Sequence, residues 1–437
     1  MSGPVGAVAD GEGRDHPLRG PLVDELHSRP FPVIGPDAEA HFVALRPDHR
    51  SARDREAEHR QLAALLDAHG APCPEPGQSH WIGRLGEWHL KWESHTEFVT
   101  FLAWREPGGE PFRGDTPLAG PAIAEGPGRV LAALRVHVGT APPEDGIVAR
   151  LGEWFDPSSL AVSGVLEEEL IVAGDFQIAE GGAMRFAVLP RAGTGRRRIG
   201  RVVQRVCEIE TYRALAMFGL ARSREMAPDL ARIEGELRRI SAEMAARSAA
   251  PAQTLDALLA LAGQIEEMSA RSSFRFSASA AYEALVAQRI AVLRETRVLG
   301  RQTFGEFMNR RFDPAMRTVA STEARLGRLS DRALRIGEFL RTRVEVERSS
   351  ENKALLESMD RRSDQALKLQ HTVEGLSVVA ISYYATGLVL YVAAPFAERA
   401  GFAKGWAAAI VAPLVVGAAW IVLRRVRNRI GYRSKSS

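Results

Sequence analysis

Cysteine is scarce in this chain of 437 residues, which contains only Cys73 and Cys207. Two cysteines without C-x-x-C spacing form neither a disulfide framework nor a zinc ribbon, so those two classes of protein are excluded. The first sixteen residues, MSGPVGAVADGEGRDH, lack the apolar core of a signal peptide. We therefore expect residues 1–16 to form a disordered tail and the N-terminal part of the chain to stay in the reducing cytoplasm.

Catalytic signatures are also missing. The sequence contains no H-E-x-x-H, P-loop, G-x-S-x-G or Rossmann glycine pattern. We expect no enzymatic activity and no cofactor.

The net charge of +3 and the pI near 9.0 conceal two halves of opposite sign. Residues 1–190 hold 16 basic and 29 acidic side chains, a net of −13, whereas the remainder holds 41 and 25, a net of +16. Opposite charges indicate different neighbours for the two halves. The distribution argues against a nucleic-acid partner and favours a membrane orientation.

Two long apolar runs lie near the C-terminus. Residues 373–394 read VEGLSVVAISYYATGLVLYVAA, and residues 405–423 read GWAAAIVAPLVVGAAWIVL. At ~1.5 Å per residue the first run is ~33 Å long, enough to cross a hydrocarbon core of about 30 Å. Core helices of soluble proteins seldom stay apolar on every face for this length. The sequence predicts two transmembrane helices in contact with the lipid bilayer.

The residues around these runs predict their orientation. The loop 395–404 begins at Pro395, which should end the first helix, and it is too short for more than an external hairpin. The tail 424–437 carries six basic residues and no acidic one, the excess typical of a cytoplasmic flank. Both termini should therefore be cytoplasmic, with anionic lipid as a partner of the basic tail.

The cytoplasmic part divides into an α/β domain and a helical stalk. Between residues 17 and 190 the periodicity alternates between strands and an amphipathic helix at residues 52–70, which predicts a mixed α/β domain. Residues 191–199 are predicted to be a linker and residues 200–372 a stalk. The last stalk helix should start near Pro314 and continue into the membrane, a rod of about 120 Å.

Heptad spacing in this last helix indicates helical partners. One series contains Val319, Leu326, Ala333 and Leu340, and a second, in a different register, contains Met359, Ala366 and Val373 with Leu355, Leu369 and Leu376. The change of register favours a helical bundle over one continuous coiled coil. A rod of this length requires partners, so we expect a homo-oligomer.

Five segments resemble a bacterial family of uncharacterised membrane-anchored proteins of unknown function. They are ELHSRPFP (25–32), KWESHTEF (91–98), EIETYRALAMFGL (208–220), FRFSASAAYEALVAQRI (274–290) and MDRRSDQALKLQHTVEGLSVVAISYYATGL (359–388). The resemblance extends from about residue 17 to residue 423. It implies a location in the bacterial cytoplasmic membrane and no assigned activity.

The architecture also resembles, more distantly, the CorA-type divalent-cation channels, which are homopentamers. In those channels the first span lines the pore and ends in Tyr-Gly-Met-Asn, whereas this chain has Tyr391, Val392, Ala393 and Ala394. The resemblance implies an α+β membrane protein with a pentameric pore, but the Gly-Met-Asn filter motif is missing.

Two sets of residues are candidates for chemistry. Strand alternation places His89, Glu93, His95 and Glu97 on one face, opposite Trp88 and Trp92. Imidazole and carboxylate groups suit Zn²⁺ or Mn²⁺, so this face is a candidate metal site; the alternative is the solvated face of a half-exposed sheet.

The second set lies in the first apolar run. Helical spacing places Glu374, Ser377, Tyr384 and Tyr391 on one stripe. Copies of Glu374 in an oligomer could attract cations at a pore mouth, whereas the alternative is an edge carboxylate beside interfacial tyrosines. Two functions therefore remain: an oligomer that presents the acidic domain to a partner or ligand, and a divergent CorA-like transporter of divalent cations.

Overall fold

The structure, a computed structural model, describes residues 16, 18–20, 22–23, 30–48, 53–246, 250–399 and 404–431. The predicted tail 1–16 lies outside these residues except for His16. The described chain is α+β and falls into two compact units: residues 1–249 with 256–337, and residues 250–255 with 338–437.

The first unit contains a nine-stranded mixed sheet. The strands are β1 (Ala38–Arg46), β2 (His80–Leu85), β3 (Trp88–Ser94), β4 (Val99–Arg105), β5 (Arg129–Val138), β6 (Ala161–Val165), β7 (Leu170–Ile178), β8 (Met184–Pro190) and β9 (Thr296–Arg297). Their order is β2-β3-β4-β1-β5-β8-β7-β6-β9, and only the β5–β8 pair is parallel.

The described helices differ greatly in length. They are α1 (Arg55–Asp67), α2 (Pro121–Ala124), α3 (Glu144–Trp154), α4 (Arg196–Ala246), α5 (Pro251–Leu293), α6 (Phe304–Arg311), α7 (Asp313–Arg399) and α8 (Lys404–Gly431). Helix α1 confirms the amphipathic helix predicted at residues 52–70.

Helices cover both faces of the sheet. On one face, Leu62 and Leu66 of α1 form a core with Trp88 and Trp92 of β3. Further along the same face, Leu151 of α3 packs in a second core with strands β6, β7 and β8. On the opposite face lies α4, whose buried side chains include Val202, Val203 and Val206. This arrangement positions α4 against the odd-numbered residues of β3.

Helices α4, α5 and the start of α7 form a bundle in the first unit. Arg232 of α4 donates to Gln264 of α5 at 2.8 Å, and Arg332 of α7 donates to Ser241 of α4 at 3.2 Å. At Gly219 of α4 the helices approach so closely that a Cβ would lie 2.4 Å from Ser279 Oγ of α5 and 3.1 Å from Val319 Cγ1 of α7. The helical stalk is thus a bundle at this level.

Two predicted boundaries are wrong. Helix α4 begins at Arg196, so the linker predicted at residues 191–199 shortens to 191–195. Helix α7 does begin beside Pro314, but it continues through Pro395 to Arg399 instead of ending there. A proline removes one helical hydrogen bond, and an apolar helix can absorb that loss without ending. The predicted external loop 395–404 is therefore helical as far as Arg399, and residues 400–403 lie outside the described residues.

In the described part of the chain, one helical stretch, Phe304–Val392, is long and apolar enough to cross a membrane. Only 6% of its apolar window is buried. The second predicted span falls in α8, where the apolar stretch Ala408–Val422 is shorter. The basic tail predicted at 424–437 continues α8 to Gly431, and residues 432–437 lie outside the described residues.

Candidate functional site

A small cavity lies between the sheet and helices α4 and α5 of the first unit. Its volume is about 240 Å³, below the ~300 Å³ at which typical ligand pockets begin, so it suits only a small molecule. Apolar walls come from Phe42, Phe98 and Leu102. The main polar lining residues are Glu93, His95, Gln204, Glu208, Tyr212 and Arg289.

The sheet side of the cavity contains a buried ion pair. Lys91 and Glu93 of β3 are 3% and 8% exposed, and Lys91 Nζ lies 3.2 Å from Glu93 Oε2. The same ammonium donates to Gln204 Oε1 of α4 at 2.9 Å. Odd-numbered residues of β3 therefore share a face, as predicted, but the alternative that this face is solvated is wrong because α4 covers it.

The helix side continues this polar network. Gln204 Nε2 donates to Glu208 Oε1 at 2.7 Å, one helical turn further along α4. The other oxygen of Glu208 accepts a hydrogen bond from Arg289 of α5. Residues four apart lie on one helix face, which is why α4 presents Gln204, Glu208 and Tyr212 to the same space. Each acidic group of the cavity thus has a basic partner, and the lining is polar but close to neutral.

Two tyrosines extend the network away from the cavity. The rings of Tyr212 of α4 and Tyr282 of α5 are stacked, with centroids 5.8 Å apart and an interplanar angle of 16°. Burial, assisted by the negative charge of Glu208, raises the pKa of Tyr212 to about 12. Tyr212 therefore stays protonated at neutral pH and can donate a hydrogen bond.

Glu97 lies at the far end of this network, in the turn after β3. Its carboxylate accepts hydrogen bonds from Arg275 at 2.7 Å, from the Tyr282 hydroxyl at 2.9 Å and from Arg46 at 3.3 Å. Burial acts to raise the pKa of Glu97, but the hydrogen bond and charge of Arg275 outweigh it and hold that pKa below its ordinary value of 4.5. Glu97 is therefore ionised at neutral pH and joins the sheet to helix α5.

The four residues of the predicted metal site do not converge. Glu93 and His95 line the cavity. His89 instead stacks on Trp104, with ring centroids 5.2 Å apart. Glu97 forms ion pairs with Arg46 and Arg275. Burial lowers the pKa of His89 and so favours its neutral form. Within the described ranges, no three His, Cys, Asp or Glu side chains form a group that could hold a metal ion. The geometry gives the predicted metal site no support.

The four residues of the predicted membrane-face stripe all lie in α7 but have different surroundings. Tyr384 and Tyr391 are 75% and 84% exposed and line an apolar cavity of about 790 Å³ between α7 and α8. Glu374 lies before this cavity, where it accepts from Gln370 Nε2 at 3.0 Å. The Ser377 hydroxyl donates to the carbonyl of Val373 at 2.8 Å and is thus satisfied within its own helix.

Sequence reasoning missed most of the cavity, although a signal was present. Segments quoted above for the family resemblance supply Phe31, Glu93 and His95, Glu208 and Tyr212, and Arg289, so four segments far apart in sequence meet at one place. The 204, 208 and 212 spacing on α4 was readable as a polar helix face. The strand that packs against this helix face could not be predicted, because 113 residues separate Lys91 from Gln204.

The position of Glu97 generates a prediction about stability and pH. Replacing the carboxylate in Glu97→Gln leaves Arg46 and Arg275 buried without their counter-charge, which should lower the free energy of unfolding by about 3 kcal/mol at pH 7. Because the pKa of Glu97 is lowered by folding, its contribution is complete above its ordinary pKa and is lost as the pH falls below it. Urea unfolding, followed by tryptophan fluorescence, should show the gap between variant and wild type closing in acid.

The matched control is Glu110→Gln, which breaks the exposed ion pair between Glu110 and Arg113 at 3.2 Å. An exposed pair contributes little, so this variant should unfold like the wild type. An equal effect of both substitutions would contradict the structural role of Glu97.

Comparison with known proteins places this architecture in a family. No curated protein matches the sequence. A family model described as protein of unknown function (DUF3422) matches residues 14–430, which confirms the resemblance to an uncharacterised family. With nearly the whole chain covered, including the cavity and helices α4 to α7, the protein belongs to the DUF3422 family.

Proposed function

We propose that this protein is a membrane-anchored homo-oligomer that presents its acidic α/β domain to a small polar ligand or a partner in the cytoplasm. The observation that carries the proposal is helix α7, whose downstream half leaves almost all of its apolar side chains uncovered. Such a surface requires lipid or another helix. The near-neutral polar cavity is the place where a small ligand would bind, and we propose a binding role and no catalysis.

Membrane attachment is supported by the apolar window of α7. A helix of this length with 6% of the window buried suits a lipid environment. We propose that α8 forms the second span of a hairpin, which is supported by the cavity that Tyr384 and Tyr391 of α7 share with Val416 of α8. Arg424 and Arg425 follow the apolar stretch of α8, so both termini would face the cytoplasm of a bacterial inner membrane, where the tail binds anionic lipid.

Cysteine labelling tests this orientation. Cys73 is exposed and Cys207 is buried, so the wild-type chain carries one reactive internal reporter. In Gly401→Cys, a membrane-impermeant maleimide added to spheroplasts should label the new cysteine at once, because the proposed orientation puts the connection between α7 and α8 outside the membrane. Cys73 should react only after permeabilisation, and so should the new cysteine of Ser434→Cys. Labelling of Cys73 in intact spheroplasts would contradict the proposed orientation.

Oligomerisation is supported by a change along α7. The upstream heptad positions Val319, Leu326 and Ala333 are buried, at 4%, 5% and 4% exposure. The downstream positions Met359 and Leu369 are 59% and 67% exposed. Fully burying one such side chain contributes about 1.5–3 kcal/mol, so a second copy of the helix is the partner that this repeating seam suits. A pentamer is the arrangement that the CorA resemblance implies.

The seam predicts a position-specific effect on assembly. Leu369→Glu places a charge in the proposed interface and should reduce the oligomer to a monomer in detergent, as measured by light scattering after size-exclusion chromatography. Leu367→Glu is the control, because Leu367 is similarly exposed but lies off the seam. A monomeric wild type, or equal disruption by both substitutions, would rule out this interface.

Cation transport is the alternative function, and the position of Glu374 is the observation that favours it. This carboxylate lies where the apolar run of α7 begins, with His371 Nδ1 at 3.7 Å, and oligomerisation would repeat it as a ring. Liposomes containing the wild type should then take up Mg²⁺, Ni²⁺ or Co²⁺ faster than empty vesicles. Glu374→Ala should abolish the difference. Equal flux in empty and protein-containing vesicles would rule out transport, and the binding role would then be the one remaining proposal.

A further inference from the structure

Arginines concentrate around the first turns of α4, at a place distinct from the polar cavity. Two adjoining grooves of about 690 and 390 Å³ share Glu167, Arg198 and Arg201 as lining residues. The arginines that line one or both grooves are Arg191, Arg197, Arg198, Arg201, Arg205 and Arg294.

The acidic turn between β6 and β7 balances only part of this charge. Glu169 pairs with Arg198, and Glu167 pairs with Arg294. Glu168 lies 3.9 Å from Arg191, a weaker contact. For Arg197, Arg201 and Arg205 no ion pair within 4.0 Å is seen among the described residues, and the nearby charge of Glu208 offsets that of Arg205 only in part.

These three arginines occupy positions that folding alone disfavours. They recur every four residues on α4, so they lie on one helix face, where like charges repel. Arg197 also lies in the first turn of this 51-residue helix, which has no acidic residue there, and the helix dipole disfavours a cation at that end. Burial and the neighbouring charge of Arg201 lower the pKa of Arg205, as expected for a crowded cation.

We propose that Arg197, Arg201 and Arg205 form a binding site for a phosphate group. A phosphate offers several oxygens to the planar guanidinium groups, which bind such anions with paired hydrogen bonds. It would also neutralise both the arginine row and the positive end of α4. A soluble phosphorylated metabolite and the headgroup of an anionic lipid share this chemistry, and the grooves are open enough for either.

Binding measurements on the full-length protein in neutral detergent test the site. Inorganic pyrophosphate is the soluble probe, and dioctanoyl phosphatidic acid is the lipid probe, with dioctanoyl phosphatidylcholine as its reference. Calorimetric titration should show an affinity for at least one phosphate probe that falls by about tenfold for each arginine replaced in Arg197→Gln, Arg201→Gln and Arg205→Gln. The control replaces Arg317, Arg328 and Arg335, exposed arginines of α7, by glutamine and should leave the affinity unchanged.

The results distinguish the source of the phosphate. Binding of pyrophosphate indicates a soluble ligand, whereas binding of phosphatidic acid alone indicates a headgroup. The proposal fails if the wild type binds neither probe, or if the triple variant binds as tightly as the wild type. Without any anion, the triple variant should unfold at the same or a higher temperature, because repulsion is relieved; a lower temperature would assign the arginines a structural role instead.

Discussion

The burial of charged residues between β3 and α4 is the constraint on which the rest of the first unit depends. Lys91 is 3% exposed, and removing an ammonium from water costs several kcal/mol unless a counter-charge and hydrogen-bond acceptors replace the water. Glu93 and Gln204 supply them. A shift of α4 by one residue would remove the Gln204 acceptor from the ammonium, so this buried hydrogen bond favours the observed register of α4 on the sheet.

This register determines what the other turns of α4 do. Because Gln204 lies over β3, Glu208 and Tyr212 face the cavity one and two helical turns later. Arg289 of α5 then donates a hydrogen bond to Glu208. Further along, Gly219 provides the close approach at which α5 and α7 join the bundle. A single helix thus contacts the sheet, the cavity and the other helices of the bundle.

Local features of this fold could be predicted from the sequence, whereas its long-range pairings could not. The start of α7 beside Pro314, the helix α1 and the two faces of β3 all follow from spacing within a few residues. A solvated polar face and a covered one have the same alternation, so the burial of Lys91 was not predictable. Glu97 was assigned to a metal site for the same reason, since its true partners, Arg275 and Tyr282, lie 178 and 185 residues away.

Helix α7 changes its surroundings along its length, while its heptad spacing of apolar residues continues in a second register. Its apolar seam is covered upstream, where Leu326 and Leu329 are each 5% exposed, but Leu355 and Leu376 downstream are 62% and 74% exposed. The hydrophobic effect acts equally on the upstream and downstream stretches of α7. The exposed downstream seam therefore favours a packing partner, as the buried upstream seam does. In the proposed function, lipid is the neighbour near Leu376, and a second copy of the chain is the neighbour near Leu355, where charged residues disfavour lipid. The proposed anchoring and the proposed assembly would therefore both follow from one helix that continues beyond the bundle covering its start.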